Sequence, residues 1–100
     1  MHTMPMSEVR ARNSAAGFLF FSAGAMAAFK SRVETNVAYC DGSGQSFFVT
    51  SEMMREDGPR MFKVRRQDAL SARVWTVEGE PYNNRDDAVI TAKTLATQAK

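Results

Sequence analysis

The feature that most constrains this chain is a run of uncharged residues, GFLFFSAGAMAAF, at positions 17–29. No charged residue lies between Arg12 and Lys30, although charged residues make up 24% of the chain. Secretory signals, membrane-spanning helices and the buried segments of a domain all contain runs of this kind. The interpretation of this run therefore decides both the fold and the compartment.

Two of these three interpretations fit the run poorly. A signal peptide would place Glu8 in its basic region and would dilute its apolar part with Ser22 and Gly24. A membrane-spanning helix needs about 18 consecutive apolar residues, and this run is shorter and contains serine and glycine. We therefore expect a cytoplasmic protein without a membrane partner.

The run is better explained as a buried strand followed by a helix. Phe18–Phe21 is rich in aromatic residues, which are typical of strands. Ser22 can cap a helix that begins at Ala23. The apolar stripe of that helix would consist of Met26, Phe29 and Val33. In this interpretation the absence of charge reflects burial in a small core.

Four further strands and a second helix follow. The strands are predicted at 36–40, 45–51, 60–66 and 72–78. The sequence DGSG at 41–44 predicts a hairpin, because Asp and Gly tolerate the backbone angles of tight turns. Asn84 with Asp87 three residues later is typical of a capping box. The final helix would bury Val89, Ala92 and Ala96.

The predicted element order is therefore β-α-β-β-β-β-α. Short links between strands favour an antiparallel sheet, so we expect an α+β fold with both helices packed on one face. Residues 1–16 show no sustained period and are predicted to form a flexible N-terminal arm. Residues 17–100 would then form a single domain. With Phe18–Phe21 or Ser46–Val49 at a sheet edge, a homodimer is also expected.

The residues that usually carry catalysis are sparse. Cys40 is the only cysteine and His2 the only histidine, so the chain offers neither an internal disulfide nor a usual zinc site. A pair of carboxylates could act as acid and base, but the acids are predicted in turns and at a helix cap. They are Asp41, Glu52, Glu56, Asp57, Asp68, Asp86 and Asp87. We expect no enzyme activity, no cofactor and no metal.

Positive charge is concentrated in one part of the chain. Positions 60–73 hold five basic residues and one acid, a local net charge of +4 compared with +2 for the whole chain. Lys63 and Arg65 share one strand face, and Arg73 and Trp75 share a face of the next strand. If these faces coincide, a basic surface would lie opposite the helices. Its predicted partner-binding residues are Arg60, Lys63, Arg65, Arg66, Arg73 and Trp75.

This surface has three interpretations. It could dock an acidic protein surface, for which Arg and Trp are good anchors. It could instead hold phosphates and stack a base, as in nucleic-acid-binding proteins, although one aromatic residue is a poor signature of that class. It could also be a solvated sheet face on which Trp75 covers part of the core.

The order of these segments resembles a group of small α/β proteins of phages and other mobile elements. The matching pieces are FLFFS, MAAFKSRV, SFFVTSE, PRMFKVRR and VWTVEGEPYNNRDDAVITAKTLA, which together span roughly residues 17–96. The resemblance implies a phage-type accessory protein in the cytoplasm of a host bacterium, such as an anti-CRISPR inhibitor. It assigns no functional residue.

Two functional hypotheses follow. The first is a non-enzymatic phage-type binding protein that inhibits a host defence complex, whether a protein or a ribonucleoprotein, by occupying a protein surface. The second is a small nucleic-acid-binding accessory protein that uses the basic sheet face.

Overall fold

The computed structural model of the chain describes residues 2–53 and 55–98. The fold is α+β with an antiparallel sheet, which confirms the predicted fold class. In chain order the elements are β1 (His2–Pro5), α1 (Met6–Ala15), α2 (Ala23–Ala27), β2 (Arg32–Val33), β3 (Val37–Cys40), β4 (Ser46–Met53), β5 (Arg60–Gln67), β6 (Val74–Thr76) and α3 (Arg85–Gln98). Within the described residues, no helix is long and apolar enough to cross a bilayer.

The sheet has the order β1-β3-β4-β5-β6, and the short β2 pairs with the second half of β4. The predicted hairpin between β3 and β4 is confirmed. Asp41 Oδ1 accepts hydrogen bonds from the backbone N–H groups of Ser43 at 2.8 Å and Gln45 at 3.0 Å. Gly44 has a φ of 89°, a left-handed angle that glycine adopts without steric cost.

The central strand β4 is buried on both of its faces. Phe47 and Val49 point to one face, where they pack with Val64 and with the α3 residues Ala88 and Ala92. We call this side of the sheet the α3 face. Phe62 and Arg66 of β5 lie on the same face, since they pair with Ser51 and Phe47 of β4.

The other side of β4 carries Phe48, which is fully buried among Met6 and Val9 of α1 and Ala38 of β3. We call this side the α1 face. The two predicted helices correspond to α2 (Ala23–Ala27) and α3, and the prediction that they share one face differs from the structure, in which α2 lies with α1 over the α1 face and α3 lies on the opposite face. The reason is that adjacent phenylalanines at 47 and 48 make both sides of β4 apolar, and each side needs a cover.

The N-terminal residues that were predicted to be a flexible arm form β1 and α1 instead, apart from Met1, which lies outside the described residues. Met4 of β1 pairs with Ala38 of β3. On α1, Val9 is fully buried and Asn13 Nδ2 donates to the Ala72 carbonyl at 3.0 Å. This segment lacks a clear period because a strand and a helix follow each other directly within it.

The uncharged run also differs from its prediction. Phe18–Phe21 forms turns and no strand, and the strands at the sheet edges are β1, β6 and the short β2. Ser22 caps α2 as expected, since its Oγ accepts from the Ala25 N–H at 3.2 Å. However, α2 has five residues and none is buried. Neither segment predicted to pair with a second copy is an edge, because Ser46–Val49 lies in the central strand β4.

Candidate docking surface

The residues predicted to form one basic surface are divided between the two faces of the sheet. Along β5, Lys63 and Arg65 lie on the α1 face and Arg66 lies on the α3 face. The register pairs Arg66 with Trp75 and Arg65 with Thr76, so Trp75 lies on the α3 face. The two predicted faces therefore do not coincide. The alternation of residues shows which side chains of one strand share a face, but only the pairing register shows which face of the next strand lies beside them.

Several of these basic side chains are already bound within the chain. Lys63 Nζ lies 2.5 Å from Oε1 of the buried Glu52. Arg66 Nη1 donates to Gln45 Oε1 at 2.7 Å and lies 3.9 Å from Asp68 Oδ1. These pairs reduce the positive charge that β5 can offer to a phosphate backbone.

Arg60 belongs to a separate polar cluster around Glu34 that the sequence did not predict. Glu34 Oε2 accepts from Arg32 Nε and from Ser51 Oγ, each at 2.6 Å, and Arg60 donates to the same Ser51 Oγ at 2.8 Å. Arg85 Nε donates to the carbonyl of Glu34, the residue after β2, at 2.9 Å, which ties the start of α3 to the end of β2. Burial would raise the pKa of Glu34, but these hydrogen bonds and charges hold it below its ordinary value.

Arg73 and Trp75 remain together, as predicted. The Arg73 guanidinium lies 4.1 Å from the Trp75 ring centroid and 5.9 Å from that of Phe18. Trp75 is 41% exposed. The turn that precedes β6 is closed by a hydrogen bond of 2.9 Å from the Asp68 N–H to the Arg73 carbonyl. This stack is a small exposed feature at the β6 edge.

Two large exposed apolar side chains lie on the uncharged run. Leu19 is 73% exposed and Phe29 is 43% exposed. The exposed small residues between them are Ala23, Gly24, Ala25, Ala27 and Ala28. We call Leu19 together with residues 23–29 the α2 surface. Its two flanks are basic, since Arg10 lies over the Phe21 ring at 5.3 Å and Lys30 is exposed.

Two grooves flank α2, and both are lined by Phe29. The outer groove, of about 330 Å³, lies between the end of α2 and the residues Met53, Arg55 and Glu56. The inner groove, of about 180 Å³, separates α2 from the α1 face of the sheet. The grooves remain open because most side chains of α2 are no larger than a methyl group. The α2 surface is therefore an apolar ridge between two depressions.

The inner groove contains one cationic side chain, that of Arg65. Its Nε donates to Thr50 Oγ1 at 2.8 Å, its Nη1 donates to Thr76 Oγ1, and its guanidinium lies 5.1 Å from the Phe20 ring centroid. Burial lowers the pKa of Arg65, and the charge of Glu52 opposes that effect. Arg65 is thus held rigidly at the floor of the groove.

Three of the residues considered for catalysis lie in a buried strand, in a tight turn and at a helix cap. Cys40 is buried, with its Sγ 3.5 Å from Ser46 Oγ. Asp41 stabilises the β3–β4 turn, and Asp87 takes part in the cap of α3. Across residues 2–53 and 55–98, no three His, Cys, Asp or Glu side chains are grouped so that they could hold a metal ion.

The sequence failed to predict the α2 surface because uncharged residues are usually buried. One signal could have revealed it. The helix AGAMA contains only one large apolar residue, Met26, which is too little to fill the space above a sheet. A chain segment of this kind covers little core and leaves its own surface exposed.

Comparison with known proteins gives a family but no activity. Residues 5–92 match the family model described as "Family of unknown function (DUF7447)". No curated protein and no solved structure matches the chain.

Proposed function

The chain belongs to the DUF7447 family, and we propose that it is a non-enzymatic binding protein that docks onto another protein through the α2 surface. The observation that supports this proposal is the exposure of Leu19, Phe29 and every α2 residue except Met26, which is partly buried. Contiguous exposed apolar surface with a polar rim is typical of protein interaction sites.

The charges around the α2 surface describe the partner. The basic residues Arg10 and Lys30 flank the ridge. Each groove beside it contains one acid, but Glu52 is paired with Lys63, and Glu56 shares the outer groove with Lys30 and Arg55, so the surroundings carry excess positive charge. A complementary partner would present an apolar depression or helix face with acidic residues at its rim. Such charges increase association rate and specificity more than they increase affinity.

We further propose that docking inhibits the partner. The resemblance to phage-type proteins suggests that the partner is a host defence complex and that the bound chain inhibits it by occupying a surface, in the manner of an anti-CRISPR protein. A chain of 100 residues can block a surface without any chemistry of its own.

The nucleic-acid alternative receives less support. It requires a continuous basic face, whereas the register places Arg65 and Arg66 on opposite faces and Lys63 is paired with Glu52. Binding to nucleic acid would fall steeply with added salt, because bound phosphates release counterions. Tight, strongly salt-dependent binding of DNA or RNA to the purified chain would favour this alternative over protein docking.

Co-purification from cells of the natural host tests the docking proposal. The tagged wild-type chain is compared with Leu19→Glu and Ala28→Glu, which place a carboxylate on the exposed α2 surface. Ile90→Glu is the matched control, because Ile90 is 61% exposed on α3, across the sheet. We expect a stoichiometric protein that both α2 variants lose and the control keeps. A partner retained by both α2 variants, with circular dichroism unchanged, would contradict the proposal.

A further inference from the structure

The inner groove combines apolar walls with one cationic group. Phe20, Met26 and Phe29 supply the walls, and Arg65 lies at the floor beside Thr50. The volume of about 180 Å³ is large enough for one side chain of a partner or for a small molecule. This arrangement resembles neither a filled core nor a flat surface.

The guanidinium of Arg65 still has hydrogen-bonding capacity. A guanidinium carries five N–H donors in a planar fork. Nε is bonded to Thr50 and one donor of Nη1 to Thr76, while the remaining donors have no acceptor among residues 2–53 and 55–98. Half-buried donors of this kind are stabilised by an acceptor that enters the groove.

The nearest acid does not supply that acceptor. Glu52 lines the groove, but its Oε1 lies 2.5 Å from Lys63 Nζ, so its charge is already paired. With Lys63 and Glu52 balancing each other, the charge of Arg65 is left in excess. The groove therefore favours an anionic group over a cationic or a neutral one.

We propose that the inner groove binds a carboxylate that stands next to an apolar group, and that the docked partner supplies it as an Asp or Glu beside an apolar side chain. A carboxylate matches the fork of Arg65 and can accept two parallel hydrogen bonds. The neighbouring apolar group packs against Phe20, Met26 and Phe29. This inference rests on the proposed function, since it names the chemistry of the same partner.

Phenylacetate is the first probe, because it carries a carboxylate on an aromatic ring, and phenylacetamide is its neutral counterpart. The readouts are the ¹⁵N and ¹H shifts of the backbone amides of the groove residues Phe20, Met26 and Phe29, which every variant retains, and, where Arg65 is present, the shift of its Nε–H group. We expect saturable shifts with phenylacetate, and binding weaker by about tenfold or more for phenylacetamide and for Arg65→Gln. Arg73→Gln is the matched control, since Arg73 is exposed and stacked on Trp75, and it should bind as wild type.

A second variant tests the groove independently in case Arg65→Gln does not fold. Ala25→Glu adds a carboxylate at an exposed position that lines the groove, so it should occupy the guanidinium and prevent phenylacetate binding while the amide spectrum stays folded. No shift of Arg65 at the solubility limit of phenylacetate would overturn the inference, and so would equal binding of the acid and the amide.

Co-purification of the host partner with Arg65→Gln separates a failure of this inference from a failure of the proposed function. If Arg65→Gln loses both phenylacetate binding and the co-purified partner, the result supports the inference. If Arg65→Gln loses phenylacetate binding but keeps the partner, the partner does not supply the carboxylate, and the inference is overturned. Docking itself is tested separately by Leu19→Glu and Ala28→Glu, because neither residue lines the inner groove.

Discussion

At the scale of single residues, Phe48 is the side chain on which the α1 face depends. It is fully buried, and its ring centroid lies 5.9 Å from that of Phe21 and 6.4 Å from that of Phe20. Phe48→Ala would leave a cavity and should lower the free energy of unfolding by about 3–5 kcal/mol. Urea denaturation measures the change. Leu70→Ala is the control, since Leu70 is 97% exposed and should change stability by less than about 0.5 kcal/mol.

Asp68 makes the free energy of unfolding depend on pH in the acidic range. Its pKa is lowered to about 2, chiefly by the hydrogen bond from the Ser71 N–H and with help from Gln45. Because the folded pKa lies below the ordinary value of 3.8, the stabilisation is complete above that value and is lost as the pH falls towards 2. We expect Asp68→Asn to be less stable at neutral pH and to lose less stability on acidification.

Urea denaturation over a pH series measures this effect. Asp57→Asn, in the exposed loop before β5, is the matched control and should follow wild type. An Asp68→Asn curve parallel to the wild-type curve between pH 4 and pH 2 would show that Asp68 does not contribute to the acid dependence.

At the scale of elements, α3 begins at the Asn84 cap that the sequence predicts, although the return bond to Asp87 comes from the Asn84 side chain and not from its backbone N–H as in a capping box. Asn84 Oδ1 accepts from the Asp87 N–H at 2.9 Å, and Asn84 Nδ2 donates to Asp87 Oδ2 at 3.0 Å. Asn84→Ala should lower the free energy of unfolding by about 0.5–2 kcal/mol. Chemical denaturation followed by circular dichroism checks this, with Asn83→Ala as the neighbouring control. Equal stability of the two variants would contradict a role for the cap.

The elements that could be predicted are those specified by local signals. The β3–β4 turn, the Ser22 cap and the Asn84 cap depend on residues at most four positions apart. The position of α1 could not be predicted, because it depends on distant partners. Asn13 binds the Ala72 carbonyl and Gln67 binds the Val9 carbonyl, across 59 and 58 positions of sequence. A periodicity of a few residues carries no information about such contacts.

At the scale of the whole molecule, the sheet is a layer between α3 on one side and α1, Phe20, Phe21 and α2 on the other. The second cover is incomplete, because α2 is short and composed mainly of small residues. This incompleteness produces both the exposed apolar ridge and the inner groove beneath it. The docking proposal and the carboxylate proposal therefore have a common structural origin.

The candidate site was only partly predictable. Alternation correctly placed Lys63 and Arg65 on one face, and Arg73 with Trp75 on a shared surface. The sequence could not give the register that separates these two pairs, or the ion pair between Lys63 and Glu52. Arg65 remains in the proposed site, but its neighbours there are Phe20 and α2 rather than Trp75.

Site-specific photocrosslinking in cells of the natural host tests the central claim most directly. Benzoylphenylalanine is introduced separately at Leu19 and Ala28 on the α2 surface, and at Ile90 on α3. Docking through the α2 surface predicts one crosslinked protein of the same mass from Leu19 and Ala28, and none from Ile90. Crosslinks from Ile90 alone, or equal crosslinks from all three positions, would contradict it.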